Sequence, residues 1–188
     1  ISNIQIHPTQ PDIIFVAVQG AQYGPSEDRG IYRTLNGGET WSKVLYVNDT
    51  VGAASLSMDM NNPRILYAAL WDHARSPWQM RSGGPGSGIY KSTNGGTHWD
   101  KLEKGLPRVI GKAGMSVSRA NSAIVYINVE AEGQASGVYR SDKGGLLWEQ
   151  VNKNRIAVAR SWYYMEVFAD PQNENIVYVL NAPVMKSI

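Results

Sequence analysis

The sequence contains no cysteine, two phenylalanines and three histidines among 188 residues. Without cysteine there is no disulfide framework, no thiolate-ligated zinc or iron–sulfur site and no cysteine nucleophile. An excess of one charge is missing too: 18 Lys+Arg stand against 16 Asp+Glu, a net +2. That balance argues against a nucleic-acid module built on bulk positive potential. Apolar runs such as Ile13–Val18 fall far short of the ~20 residues that a membrane-crossing helix needs, so no membrane insertion is expected. No long stretch carries a helical hydrophobic period. His7, His73 and His98 are isolated, without metal-ligand spacing, and no Gly-x-Ser-x-Gly elbow occurs; no metal and no cofactor is expected. The chain opens on Ile1, without a signal peptide or initiator Met, which reads as a processed product or a fragment.

What is present is a repeat. Three segments align without gaps: Gly30 to Trp41, Gly88 to Trp99 and Gly137 to Trp148. A fourth copy starts at Met185-Lys186-Ser187. Upstream of each copy lies a Pro/Asn-rich turn followed by a β-branched or aromatic run: Ile13–Val18, Ile65–Leu70, Ile124–Val129 and Ile176–Leu180. Such runs bounded by turn residues read as strands. Another short strand precedes each turn (Ile4–Ile6, Leu56–Met58, Met115–Val117, Tyr164–Phe168), and one follows each motif tryptophan (Ser42–Tyr46, Asp100–Leu102, Glu149–Val151). Four short antiparallel strands every ~50 residues predict an all-β chain whose units are the blades of a β-propeller. The expected blades cover about 1–47, 54–103 and 113–152, with an incomplete fourth over 162–188. Three and a half blades do not close a ring alone, so the expected partners include the rest of a propeller or another chain.

Within the motif, Thr34, Ser92 and Ser141 supply hydroxyls for loose turn amides. Asn36 and Asn94 are expected to fold back onto the backbone two residues on. Gly38, Gly96 and Gly145 permit positive φ, and Trp41, Trp99 and Trp148 are expected to bury their rings between neighbouring blades. These segments resemble Asp-box (BNR) repeats, found in sialidases, xyloglucanase-type glycoside hydrolases, sortilin-type receptors and a photosystem assembly factor. The phrasing is most similar to bacterial exported "glycosyl hydrolase"/sortilin N-terminal-like repeat proteins, and the resemblance implies an extracellular or periplasmic location. The sequence departs from the pattern where Asn36, Asn94 and Lys143 stand in place of the usual aspartate.

Blade geometry puts the inner turns and motif turns on one face and the longer connections on the other, where function usually resides. On that face Trp71, Trp78, Trp162, Tyr163 and Tyr164 suit stacking on sugar rings or gripping a peptide, with Arg75 and Arg81 able to clamp an anion. The segment Trp71 to Arg81 is read as part of a long loop, and Gly83 to Gly88 as a flexible approach to the next strand. Asp72, His73 and Glu130 are the candidate catalytic groups; the bland alternative for the same residues is an internal network bracing the loop. Three functions follow: a module binding a glycan or peptide ligand, a xyloglucanase- or sialidase-like glycoside hydrolase, and a structural module of a larger assembly.

Overall fold

The computed structural model describes residues 1–187. Sixteen strands form four antiparallel sheets in chain order. The first sheet is β1 (Asn3–Ile6), β2 (Ile14–Val18), β3 (Gly30–Thr34) and β4 (Ser42–Leu45). The second is β5 (Val51–Met58), β6 (Leu66–Ser76), β8 (Gly88–Ser92) and β9 (Asp100–Leu102), with β7 (Gln79–Ser82) added to the far end of β6. The third holds β10 (Ile110–Val117), β11 (Val125–Ala131), β12 (Gly137–Ser141) and β13 (Glu149–Asn152), and the last β14 (Glu166–Ala169), β15 (Val177–Leu180) and β16 (Val184–Lys186). The described residues therefore form an open β-propeller fragment: consecutive antiparallel meanders of three to five strands packed face to face, with no closed ring among them.

The sheets pack through the two-residue alternation of their innermost strands. In β5, Leu56 and Met58 turn toward the first sheet and lie in the core they share with Phe15, Ala17 and Ile31. The intervening Ser55 and Ser57 face the third sheet, where their hydroxyls accept the amides of Met115 and Val117 at 3.3 and 3.1 Å. Ser116 of β10 repeats the device, accepting the Ala169 amide at 3.0 Å. β5 and β10 thus each show an apolar edge to the sheet before and a hydroxyl edge to the sheet after. Gly114 marks the closest approach: a Cβ there would lie 1.8 Å from the Met165 carbonyl oxygen.

Inner turns and motif turns sit side by side in every complete sheet. The amides of Gly37, Gly95 and Gly144 donate to the carbonyls of Asp12, Arg64 and Ala123 at 3.0, 2.9 and 2.8 Å. In the first two motif turns the Ser/Thr hydroxyl takes the Gly38 and Gly96 amides at 3.0 and 2.9 Å. The asparagine carboxamides reach further than expected, to Thr40 N and His98 N, four residues on rather than two. The reason is that the Asn36 and Asn94 amides, like those of the glycines, already bond the hydroxyl of Thr34 or Ser92. In the third turn Ser141 keeps its role toward Gly145 at 2.9 Å, while Lys143 offers no carboxamide.

Five expectations change. Met185 and Lys186 form the third strand of the last sheet, β16, paired with β15, so that sheet holds more than two strands. Its innermost strand begins at Glu166 rather than Tyr164. Residues 71–82 are no irregular loop: β6 runs on to Ser76 and turns back as β7, pairing His73 with Ser82 and Ser76 with Gln79. The glycines after it are held by contact, since a Cβ on Gly84 would lie 2.5 Å from the Asp72 carboxylate and one on Gly86 2.4 Å from Val51. The motif tryptophans are also unequal. Trp148 lies in the core shared by the second and third sheets and is 3% exposed, whereas Trp41 is 43% exposed. Trp99 and Trp148 pack on the sheet preceding their own, and among the described residues Trp41 has no such sheet beside it.

Candidate functional site

On the face opposite the motif turns, side chains from all four sheets or the connections between them converge. Trp71 is buried and its ring stacks on His73, centroids 4.1 Å apart and 16° between planes. Trp162, from the connection between β13 and β14, meets Trp71 edge-on at 4.8 Å and His73 at 6.3 Å. Trp71 and His73 fall on one side of β6 because they are two residues apart. This aromatic plug fills the space above the innermost strands.

A polar shell surrounds the plug. The Trp71 indole N–H donates to Ser82 Oγ at 2.9 Å, Ser82 donates to Glu130 Oε2, and the same carboxylate oxygen accepts the Lys112 amide at 3.0 Å. Gly111 makes room for that carboxylate: a Cβ there would lie 2.2 Å from it. The Lys112 ammonium bonds the Trp162 carbonyl at 3.3 Å and lies 5.5 Å from the centre of the Trp71 ring. Burial holds the Lys112 pKa below its ordinary value, opposed by the nearby Glu166 and Glu130 charges.

On the other side of the plug Arg29, wholly buried, gathers its own loop. Its guanidinium donates to the carbonyls of Thr50, Ala21 and Gly24. It also lies 3.2 Å from His73 Nδ1, which is equally 3.2 Å from the Trp71 carbonyl. One ring tautomer accepts from the arginine and the other donates to the carbonyl, so the imidazole serves one neighbour at a time. His73 Nε2 and Arg29 Nε are buried without a protein partner. Burial, reinforced by the Arg29 charge and opposed by the Trp71 carbonyl, lowers the His73 pKa to about 4, which makes the ring neutral at pH 7.

The three candidate catalytic residues are all brought to this face, yet all are engaged. Asp72 is buried; its carboxylate accepts from Arg81 at 2.8 Å and its amide donates to Ser87 Oγ at 2.9 Å. Glu130 is held by Ser82 and Lys112, and His73 by the buried plug. Of the candidate binding residues, Trp71 belongs to the plug interior and Trp162 to its half-buried rim. Arg81 is committed to Asp72. Tyr163 and Tyr164 are exposed, 6.4 Å apart, on the turn after Trp162. Arg75 and Trp78 lie on the hairpin of β6 and β7, where Trp78 is 84% exposed.

That hairpin forms an open groove with Tyr23, lined by Arg75, Ser76, Pro77, Trp78, Gln79 and Met80. The Arg75 guanidinium lies 5.9 Å from the centre of the Tyr23 ring. Pro77 and Trp78 occupy the two positions between paired Ser76 and Gln79, so the turn lifts the indole into solvent. Tyr23, Arg29, Ser82 and Lys112 were not singled out by sequence reasoning. Arg29 carried a faint signal, a cation immediately before the strand opening Gly-Ile-Tyr; the others carried none.

No protein-family model matches the chain, and no curated protein does. Solved structures do resemble it. A GH74 enzyme from Niastella koreensis superposes with a TM-score of 0.67 at 20% identity, over 97% of this chain and 28% of that one. The GH74 xyloglucanase from Xanthomonas campestris gives 0.67 at 15% identity, over 93% of this chain and 26% of that one. YCF48 from Cyanidioschyzon merolae gives 0.51 at 13% identity, over 97% and 54%. The chain thus spans about a quarter of the length of those GH74 structures. At such identities the likeness is one of fold.

Proposed function

We propose that this chain is a ligand-binding propeller module that takes a glycan on its long-connection face, at the groove formed by Tyr23 and the β6–β7 hairpin. The observation that carries the reading is Trp78, an indole held in solvent by a two-residue turn, beside an exposed tyrosine and a guanidinium. Flat apolar rings bordered by hydrogen-bond donors suit the apolar faces and hydroxyl rims of sugars. The plug of Trp71, His73 and Trp162 beneath the hairpin is its rigid support. Likeness of fold to glycan-active GH74 structures favours a glycan over a peptide. In this reading the three Gly-Gly turns ending in tryptophan are Asp-box repeats with a structural role, and the module belongs to a larger exported protein.

A hydrolytic role is the second reading, favoured by the same GH74 likeness. It needs one carboxyl free to donate a proton and another free to attack or activate water. Asp72, paired with Arg81, and Glu130, bonded to Ser82 and the Lys112 amide, serve better as braces than as such a pair. Isothermal titration with xyloglucan oligosaccharides and with peptides separates the readings. Binding of a glycan without turnover, reduced about tenfold or more by Trp78→Ala, supports the proposal. Unchanged affinity in that variant, or binding of peptides alone, refutes it; turnover lost in Glu130→Gln establishes the hydrolase.

A further inference from the structure

The hairpin of β6 and β7 carries two arginines, and they differ in their company. Side chains alternate along a strand, so Asp72 and Ala74 share one face of β6 while His73 and Arg75 share the other. Arg81 lies across from Ala74 and meets Asp72 on the first face, at 2.8 Å. Its charge is answered within the protein. Arg75 stands on the opposite face, across from Met80. None of the cation–carboxylate contacts among the described residues includes it. His73, two residues before it, is neutral at pH 7, because burial lowers its pKa to about 4.

The groove of about 500 Å³ between this hairpin and Tyr23 adds no counter-charge, since Arg75 is the one charged residue of its lining. The guanidinium lies 5.9 Å from the centre of the Tyr23 ring. A cation held over a ring spends none of its N–H donors on that contact. The Ser76 hydroxyl, by contrast, is engaged by the Gln79 carbonyl at 3.3 Å. Next to Arg75 the turn holds the Trp78 indole in solvent. The groove therefore combines a flat apolar surface with a planar fork of donors that has no anion to grip.

Granted the glycan reading of this groove, we propose that its ligand is acidic: the sugar on the Trp78 indole is a uronic acid, and Arg75 holds its carboxylate. The C–H face of the sugar ring lies on the indole, and the two carboxylate oxygens accept from two guanidinium N–H groups. With the Tyr23 ring against the guanidinium, the ion pair is less fully hydrated than one in open solvent. A neutral hexose presents a hydroxymethyl group at the same place, which accepts a hydrogen bond but brings no charge. A sulfate ester brings the charge without the planar pair of oxygens that the fork matches. Stacking on Trp78 is common to acidic and neutral sugars, so the discrimination between them falls on Arg75.

The test is isothermal titration of the 188-residue chain with two β-1,4-glucan trisaccharides, identical except that one has its terminal hydroxymethyl group oxidised to a carboxylate. The uronate should bind about three- to tenfold more tightly, and the preference should shrink as salt rises from about 0.05 to 0.5 M. Arg75→Gln should bring the two affinities together, and Arg75→Lys should keep part of the difference. Trp78→Ala should weaken both ligands. Equal affinities in the wild type, or a preference that survives Arg75→Gln, would overturn the acidic ligand while leaving the glycan groove standing. Binding of neither trisaccharide would overturn both. Tighter binding of the same trisaccharide carrying a terminal sulfate ester would overturn the choice of carboxylate.

Discussion

Acid should loosen this protein through a single histidine, and the size of the effect follows from the site. His73 is buried against Trp71, with Arg29 beside Nδ1, and its pKa falls to about 4 from an ordinary 6.5. Unfolding returns it to water, where it takes up a proton near its ordinary pKa. As pH falls below that value the unfolded chain gains a proton that the folded chain refuses, so stability is full above about 6.5 and declines until about pH 4. Between pH 6.5 and 5 the loss comes to about 2 kcal/mol at ~1.4 kcal/mol per unit. Asp72 and Arg81 also act on the imidazole through their charges, the first favouring and the second opposing its protonation. The assay is urea denaturation at intervals from pH 7.5 to 5, for wild type and His73→Gln. The variant should be less stable at pH 7.5, yet its stability should change little across the range. A wild-type slope matched by the variant's would refute the reasoning.

Other outcomes follow from packing. Trp148→Ala empties a buried site shared by two sheets and should cost about 3–5 kcal/mol, whereas Trp41→Ala, at the same motif position on an exposed flank, should cost far less; thermal melts compare them. Ser92→Ala leaves the Gly96 amide without its acceptor and should cost about 1–2 kcal/mol by urea titration. Gly114→Ala drives a methyl into the Met165 carbonyl, and native-state hydrogen exchange should show the fourth sheet released while the first stays protected.

The architecture was legible because its signals are local and repeated. Ile65–Leu70 and Ile124–Val129 read as strands from β-branched and aromatic content between turns, and both form strands. The hydroxyls of Thr34, Ser92 and Ser141 accept turn amides four residues on, a partner within reach of local reasoning. What failed depends on distance along the chain. Trp41 and Trp148 share a motif, yet only the second has a preceding sheet to cover it. The hairpin of β6 and β7 was hidden because Pro77 looks like loop punctuation, while here it falls at a tight turn. Asp72, Arg81 and Glu130 were visible as chemistry, but Asp72 meets Arg81 because β6 turns back as β7, and Glu130 meets Ser82 from the third sheet, dozens of residues away. Arg29 and Lys112 gave almost no warning, since nothing in a sequence tells a solvated cation from one enclosed by backbone carbonyls.

The most direct measurement of where this module meets its ligand is the indole N–H spectrum of its six tryptophans during titration with a xyloglucan oligosaccharide. The account predicts that the Trp78 resonance moves first and furthest, while those of Trp99 and Trp148 in the motif turns stay fixed. Movement confined to the motif-turn indoles, with Trp78 unchanged, would contradict it.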